Sequence, residues 1–346
     1  MVSIKFDDKY KYDINNNNID LFILKNNNFH FYDNNDTPIW YNTFEEVLKL
    51  QNYNDITHLY LGDQLNDCVK INRLPSKLIF LSFNGAQIGD LAGDSIDSLP
   101  ESLLYLELSC CSFTDDGEEC KIKYLNNMPK NIKIINDITL REKDISNLPI
   151  SLLILSCTLE DNIHYDFSHL VNLKSLHCGG HDHSQITLPN SLIKFRCHID
   201  KNIKIYNLPN SLKSLEYHKS LVSLPELPDS LEILICSNNK IEELPKLPNS
   251  LEILDCSNNN IKELPKLPSS LKKLICNTND IKNLPALPNN LLELNITDTF
   301  VKYLPILPKS LKLLLCINCS LQKLPELPDS LEILDCSHNF ISQITR

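Results

Sequence analysis

A 20-residue period runs without insertion or deletion from Leu224 to Gln343, giving six consecutive copies of one unit. The first copy reads LPELPDSLEILICSNNKIEE and the last begins LPELPDSLEILDCSHN. A fixed period of this length admits few folds. Each copy is one supersecondary unit, too small to bury its own apolar side, so neighbouring copies must stack into a solenoid. Each copy carries the frame L-x-x-L-x-L-x-x-N-x-L, as in Leu231, Leu234, Cys236, Asn239 and Ile241.

Leu234 and Cys236 alternate with other residues, the period-two pattern of a strand. Stacked copies then pair as a parallel sheet with strands about 4.8 Å apart. Leu231, Leu234, Cys236 and Ile241 are expected to point inward and pack on their counterparts one coil away. The asparagine of the frame (Asn239, Asn259, Asn279, Asn339) points inward too. A buried amide needs partners, so these residues are expected to form a ladder to backbone groups of the turn. Thr299 and Cys319 interrupt it. The opposite wall reads L-P-x-L-P. Proline lacks an amide hydrogen and fixes φ near −65°, which favours an extended polyproline II path over a helix. The expected architecture is a thin horseshoe: a parallel β-sheet on the concave face, an extended convex side, and few helices.

The frame continues upstream in degenerate form, with its first apolar position at Ile56, Leu78, Leu103, Ile132, Leu152, Leu173, Leu192 and Leu212, about fourteen coils in all. Of the 19 prolines, all but Pro38 belong to the repeats, and twelve frames carry one three residues before the first apolar position. Two places fit poorly. The 29-residue spacing from Leu103 to Ile132 contains the acidic run Asp115-Asp116-Gly117-Glu118-Glu119, and the coil after Ile135 offers Asp137 where an apolar residue is due. Residues 1–55 lie outside the frame; short apolar runs such as Leu21–Leu24 and a capping-box pattern at Thr43-Phe44-Glu45-Glu46 suggest an N-terminal cap or small mixed segment. Residues 56–346 are the solenoid.

This frame is that of a leucine-rich repeat. It resembles the short, proline-bearing LPxLP class of bacterial effectors over roughly Leu74 to Ile341, with cysteine in place of the usual valine. The Asn-, Ile- and Lys-rich composition with cysteine in the frame also looks similar to uncharacterised leucine-rich-repeat proteins of giant viruses of amoebae. The resemblance implies a protein-binding scaffold without catalysis. Some such effectors carry a ubiquitin-ligase domain after the repeats, an activity that the resemblance does not imply for this chain. A separate alternative is a substrate-recruiting subunit of a ubiquitin-type ligase, docking through residues 1–55, although that segment does not match an F-box.

A net charge of −11 argues against nucleic acid as the main ligand, which would require a basic stripe. No apolar run approaches the roughly 18 residues of a membrane span, and the acidic start MVSIKFDDKYKYD is unlike a signal peptide. Eight of the thirteen cysteines (Cys157, Cys178, Cys197, Cys236, Cys256, Cys276, Cys316, Cys336) take the third apolar position of the frame, and Cys111 and Cys319 take its asparagine position. A free cysteine packs as a small hydrophobe, so a column of reduced thiols is expected. That implies a cytoplasmic, reducing compartment, that of a host cell included.

The residues alternating with the buried ones face the concave side: Ile233, Ile235, Ile253, Asp255, Lys273, Ile275, Glu293, Asn295, Leu313, Leu315, Ile333 and Asp335. Seven of these twelve are Ile or Leu, where a purely solvated sheet would be polar, and an exposed apolar surface marks a site for a protein partner. Glu232, Glu252 and Glu332 against Lys272 and Lys312 flank it. Among polar candidates, His177, His198 and His218 face outward on successive coils and His181 and His183 follow in a loop. Zinc is conceivable there, but a polar patch is the plainer reading and no metal or cofactor is assigned. Cys316-Ile317-Asn318-Cys319 is a C-x-x-C at inward positions, hence core. The acidic run lacks calcium-loop spacing. With only seven glycines, no phosphate-binding loop and no nucleophile–base arrangement, the chain is not read as an enzyme.

Overall fold

A computed structural model describes residues 49, 51, 53–60, 74–82, 99–108, 128–140, 142–159, 164–180, 185–199, 204–205, 207–218 and 221–342. The chain divides into two compact units, Met1–Ile132 and Lys133–Arg346. This division falls within the stretch that the repeat frame joins as one solenoid. The proposed 1–55 cap lies almost wholly outside the described residues, as do the acidic run Asp115–Glu119, His181 and His183.

In the first unit a 3-10 turn (Tyr53–Asp55) precedes three strands, β1 (His58–Tyr60), β2 (Phe80–Ser82) and β3 (Tyr105–Glu107). They pair in parallel and in chain order. Both sides of β2 and β3 are buried. On one side Phe80 and Tyr105 stack with ring centroids 4.5 Å apart, and the Ser82 hydroxyl donates to Glu107 Oε2 at 2.7 Å.

The second unit holds β4 (Ile134–Leu140), a single helical turn α1 (Glu142–Ile145), β5 (Ile154–Leu159), β6 (His164–Asp166), β7 (Ser175–Gly180), β8 (Gln185–Thr187), β9 (Lys194–Ile199), β10 (Lys204–Ile205) and β11 (Ser214–His218). The regular coils follow, one short strand each: β12 (Ile233–Ile235), β13 (Ile253–Asp255), β14 (Lys273–Ile275), β15 (Glu293–Asn295), β16 (Leu313–Leu315) and β17 (Ile333–Asp335). In its main sheet β4, β5, β7, β9 and β11 to β17 lie side by side in chain order, every neighbouring pair parallel. Each of the fourteen frames thus opens a strand two residues after its first apolar position.

A conserved turn geometry sets that start. In every frame the amide at the first apolar position donates to the carbonyl three residues earlier. That carbonyl belongs to proline in twelve frames, as in Leu231 to Pro228 at 3.1 Å, and to Tyr53 and Leu170 in the other two. Proline loses nothing there, because the turn uses its carbonyl and the ring pre-sets φ. Next in line, a serine couples the coils. Ser230, Ser250, Ser270, Ser310 and Ser330 each donate to the first-leucine carbonyl of the coil before, at 2.6–2.7 Å. Ser102, Ser191 and Ser211 repeat the contact upstream at 2.6–2.8 Å.

The core is the expected column. Leu231, Leu234, Cys236 and Ile241 are fully buried, as are their equivalents through Leu311, Leu314, Cys316 and Leu321. Leu244 and Leu247 of the L-P-x-L-P wall close it from the far side. Fully burying one such leucine contributes about 1.5–3 kcal/mol. The asparagine ladder is present in detail. Asn259 Nδ2 donates to the carbonyls of Cys236, Cys256 and Ser257 at 2.9–3.1 Å, and its Oδ1 accepts from Ile241 N–H at 3.0 Å. The residue before each ladder position is left-handed, at φ 52–59°: Asn238, Asn258, Thr278, Asp298, Asn318 and His338. Asn and Asp tolerate this conformation, whereas a β-branched threonine is strained in it.

Two departures from the expected plan have physical causes. Asp137 sits at φ 55° in a β-bulge between Ile135 and Ile138, which lets Ile138 take the inward place in register with Cys157. The coil is irregular where Asp137 interrupts its frame. The middle coils, moreover, carry a second parallel sheet of β6, β8 and β10, in place of a purely extended far wall. Their frames lack the asparagine, and β5, β7 and β9 run on to six residues instead of three. The chain therefore returns through a strand, with Tyr165 and Ile186 filling the core. Gly180 permits this path, since a Cβ there would lie 2.7 Å from the Leu159 carbonyl oxygen. Among the described residues no helix is long and apolar enough to cross a membrane, and the L-P-x-L-P segments form no helix.

Candidate functional site

The outward side of the main sheet in the second unit is organised as columns, because every strand pairs in register with the next. One column runs Ile233, Ile253, Lys273, Glu293, Leu313, Ile333, and its neighbour runs Ile235, Asp255, Ile275, Asn295, Leu315, Asp335. All twelve predicted surface residues lie on this one side; in β12 to β16 the central residue is a buried leucine, whereas Leu334 of the last strand, β17, is exposed. They are half-buried by their neighbours, apart from Ile333, which is 54% exposed on the last strand.

The apolar surface is divided. Lys273 and Glu293, adjacent in the first column, form an ion pair that separates Ile233, Ile235 and Ile253 from Leu313, Leu315 and Ile333. Some polar members serve the backbone. Asp255 Oδ1 accepts from the amide and hydroxyl of Ser257 at 3.0 and 2.7 Å, and Asp335 does the same with Ser337. These Asx-type turns end the strands. The two Ser337 bonds hold the Asp335 carboxyl below its ordinary pKa. At the edge the predicted flanking charges are neutralised in pairs: Lys272 with Glu252, Lys312 with Glu332, and Glu232 with Lys213, which lies outside the predicted set, at 2.8–2.9 Å. Exposed pairs of this kind contribute roughly 0–1 kcal/mol each.

Toward the N-terminal side of the same sheet the columns become polar. His177, Arg196 and Glu216 stand in register in one column; His198 and His218 stand in register in the next, after Gly179, which adds no side chain there. His198 and His218 have ring centroids 4.5 Å apart, and His177 meets His198 edge-on at 5.4 Å. Arg196 Nε donates to His198 Nε2 at 3.1 Å and its Nη2 lies 3.1 Å from Glu216 Oε1. The same carboxylate oxygen pairs with His218 Nε2 at 2.9 Å. Ser156 Oγ lies 3.3 Å from His177 Nδ1 and donates to Asp137 at 2.9 Å. Burial, then the charges of His218 and Arg196, pushes His198 down to about 4, so its ring is neutral at physiological pH. Burial and Arg196 also lower His177. Burial raises the Glu216 carboxyl, but the His218 hydrogen bond and the Arg196 charge outweigh it and leave the group lowered and ionised.

The sequence singled out the three histidines but not Arg196 and Glu216, which join them. Their signal was available: both occupy the outward strand position in the coils bearing His198 and His218. The thiols are where the frame puts them. Cys157, Cys178, Cys197, Cys236, Cys256, Cys276, Cys316 and Cys319 are buried thiols outside any disulfide, and Cys336 is half-buried. Burial drives Cys236 and Cys276 well above the ordinary thiol range and raises Cys316 to about 12, which leaves them as core residues without nucleophilic character.

A stacked parallel sheet, an inward asparagine ladder and a nearly helix-free far wall define the chain as a leucine-rich-repeat solenoid. The sequence profile of the FNIP repeat matches residues 54–85, from the first coil through the strand of the second. Among solved structures, the chain is similar to YopM, a leucine-rich effector protein from Yersinia pestis, at 25% identity and a TM-score of 0.65, over 88% of this chain and 90% of that one. YopM from Yersinia enterocolitica WA-314 aligns over 89% of this chain and 67% of its own, at 25% identity and a TM-score of 0.53. CroV588, described as a circular leucine-rich-repeat protein, shares the fold at 22% identity and a TM-score of 0.53, over 80% of this chain and 49% of that one. No curated protein sequence matches the chain.

Proposed function

We propose that the chain is a non-catalytic scaffold that binds a protein partner on the open side of the sheet formed by β12 to β17. The observation that carries this reading is the outward apolar set: Ile233, Ile235 and Ile253 on one side of the Lys273–Glu293 pair, Leu313, Leu315 and Ile333 on the other, and Ile275 in the neighbouring column between Asp255 and Asn295. A stacked, inflexible surface of this kind loses little conformational entropy on binding. Aliphatic side chains with mutually neutralised charges along one edge suit the apolar-centre, polar-rim pattern of a protein interface. Likeness to an effector built from the same repeats is consistent with this role. A partner with an apolar centre and its own charges placed against Lys273 and Glu293 is the complementary surface. The net charge of −11 disfavours nucleic acid, and the column of buried thiols outside any disulfide suits a reducing cytoplasm.

The test replaces Ile253 and Ile275 by Asp together. Both side chains point off the sheet, so circular dichroism and thermal unfolding should stay close to those of the parent. Capture of partner protein from lysate of the native host should be lost. Unchanged capture by the folded double variant would place the binding surface elsewhere.

A further inference from the structure

The polar end of the same sheet has a separate capacity. We propose that His198, Glu216 and His218 form a binding site for a divalent transition metal of the zinc class, in which the Arg196 guanidinium is the resident competitor. This does not rest on the protein-binding reading, which concerns β12 to β17.

Three observations converge. First, a ligating nitrogen of each histidine and a carboxylate oxygen of Glu216 all lie within 4.8 Å of one another. Two imidazoles with one carboxylate is a donor set that zinc takes with a water in the fourth position. Second, the donors sit on adjacent strands held in register, with His198 opposite His218 and Glu216 in the next column two residues before His218. The backbone thus pre-positions them, and side-chain rotation alone is needed to bring them to a tetrahedral spacing of about 3.4 Å, set by metal–ligand distances of about 2.0–2.2 Å. Third, the atoms that would hold a metal are held together by protons of positively charged or polar donors. Arg196 Nε–H occupies the His198 Nε2 lone pair, Arg196 Nη2 meets Glu216 Oε1, and His218 Nε2–H points at that same oxygen. The guanidinium is therefore a cation bound in the place a metal would claim.

The exchange balances without a redox step. The metal displaces the Arg196 contacts and takes the His218 Nε2 lone pair, the Nε2 proton passing to Nδ1 in the neutral ring or to solvent from the doubly protonated ring. The Arg196 side chain is 38% exposed, so it can swing into solvent without breaking the core. His177, with its ring 5.4 Å from that of His198, stands near enough to support the site from the neighbouring column.

The experiment uses the full chain without a histidine tag. Cobalt(II) serves as spectroscopic probe, and zinc affinity is read by competition with a chelating dye. Expected are visible tetrahedral d–d bands with no thiolate-to-cobalt charge transfer, and one zinc per chain lost in parallel from Glu216→Gln and His218→Gln, each weakening binding by about tenfold or more. Arg196→Gln should tighten zinc on the order of tenfold, because a positive charge leaves the neighbourhood of a dication. His164→Gln, an exposed histidine away from the cluster, should change nothing. Thiolate charge-transfer bands would overturn the assignment, as would equal zinc affinity in the parent and in the folded Glu216, His218 and Arg196 variants. Weaker binding by Arg196→Gln would overturn the competitor role.

Discussion

Replacing Asn259 by alanine tests whether the inward asparagines hold the coils together or merely occupy them. Asn259 makes four hydrogen bonds, but they are unequal in consequence. The carbonyls of Cys236 and Cys256 keep a donor when it is removed, because Asn239 Nδ2 also reaches the first and Asn279 Nδ2 the second. The Ser257 carbonyl keeps Asn238 N–H at 3.0 Å. Only the Ile241 amide, whose acceptor is Asn259 Oδ1 at 3.0 Å, loses its partner, and Ile241 is fully buried. Leaving one buried donor unsatisfied costs about 1–3 kcal/mol, and loss of the partly packed amide adds a smaller cavity contribution. The expected destabilisation is about 2–4 kcal/mol, measured by equilibrium urea unfolding with the m-value checked for a single transition. The opposite substitution is available in the same molecule. At Thr299 the ladder position is filled by a hydroxyl that donates to its own coil, to Ile296 at 2.7 Å, and reaches no amide of the coil before. Thr299→Asn should supply that acceptor to Ile281 and stabilise by about 1 kcal/mol. If Asn259→Ala costs well under 1 kcal/mol while Thr299→Asn destabilises, the ladder is incidental to stability.

Two further outcomes follow from the same frame. Thr278→Gly should stabilise the protein by about 1 kcal/mol in the same unfolding assay, since a β-branched residue there is held at φ 54°; unchanged or lower stability would mean that the strain is relieved elsewhere. Among the described cysteines, Cys336 should be alkylated first under native conditions at neutral pH, with Cys178, Cys256 and Cys276 labelled only on unfolding, as read by peptide mapping. Burial raises the pKa of all three, so rapid native labelling of any one of them would contradict the packed column.

What the sequence determined by itself is everything that depends on one coil and its identical neighbour. Residues 20 apart meet equivalent surroundings, so the inward places of Leu234, Cys236 and Asn239, the outward place of Ile233 and Ile235, and the strand start after each proline were all legible from spacing. The FNIP-like first coil at Ile56 and the bulge at Asp137 were also visible, as a degenerate frame and as a polar residue out of place. Only the tertiary structure decided how side chains of unlike coils combine. Arg196, Glu216, His198 and His218 are ordinary outward residues one coil at a time; their meeting depends on register across strands and on rotamers, which no single copy encodes. The Lys273–Glu293 pair that divides the apolar face arises in the same way. So does the second sheet of the middle coils, where the missing asparagine lets the strands run on and the chain finds its backbone partners one coil away rather than in its own turn.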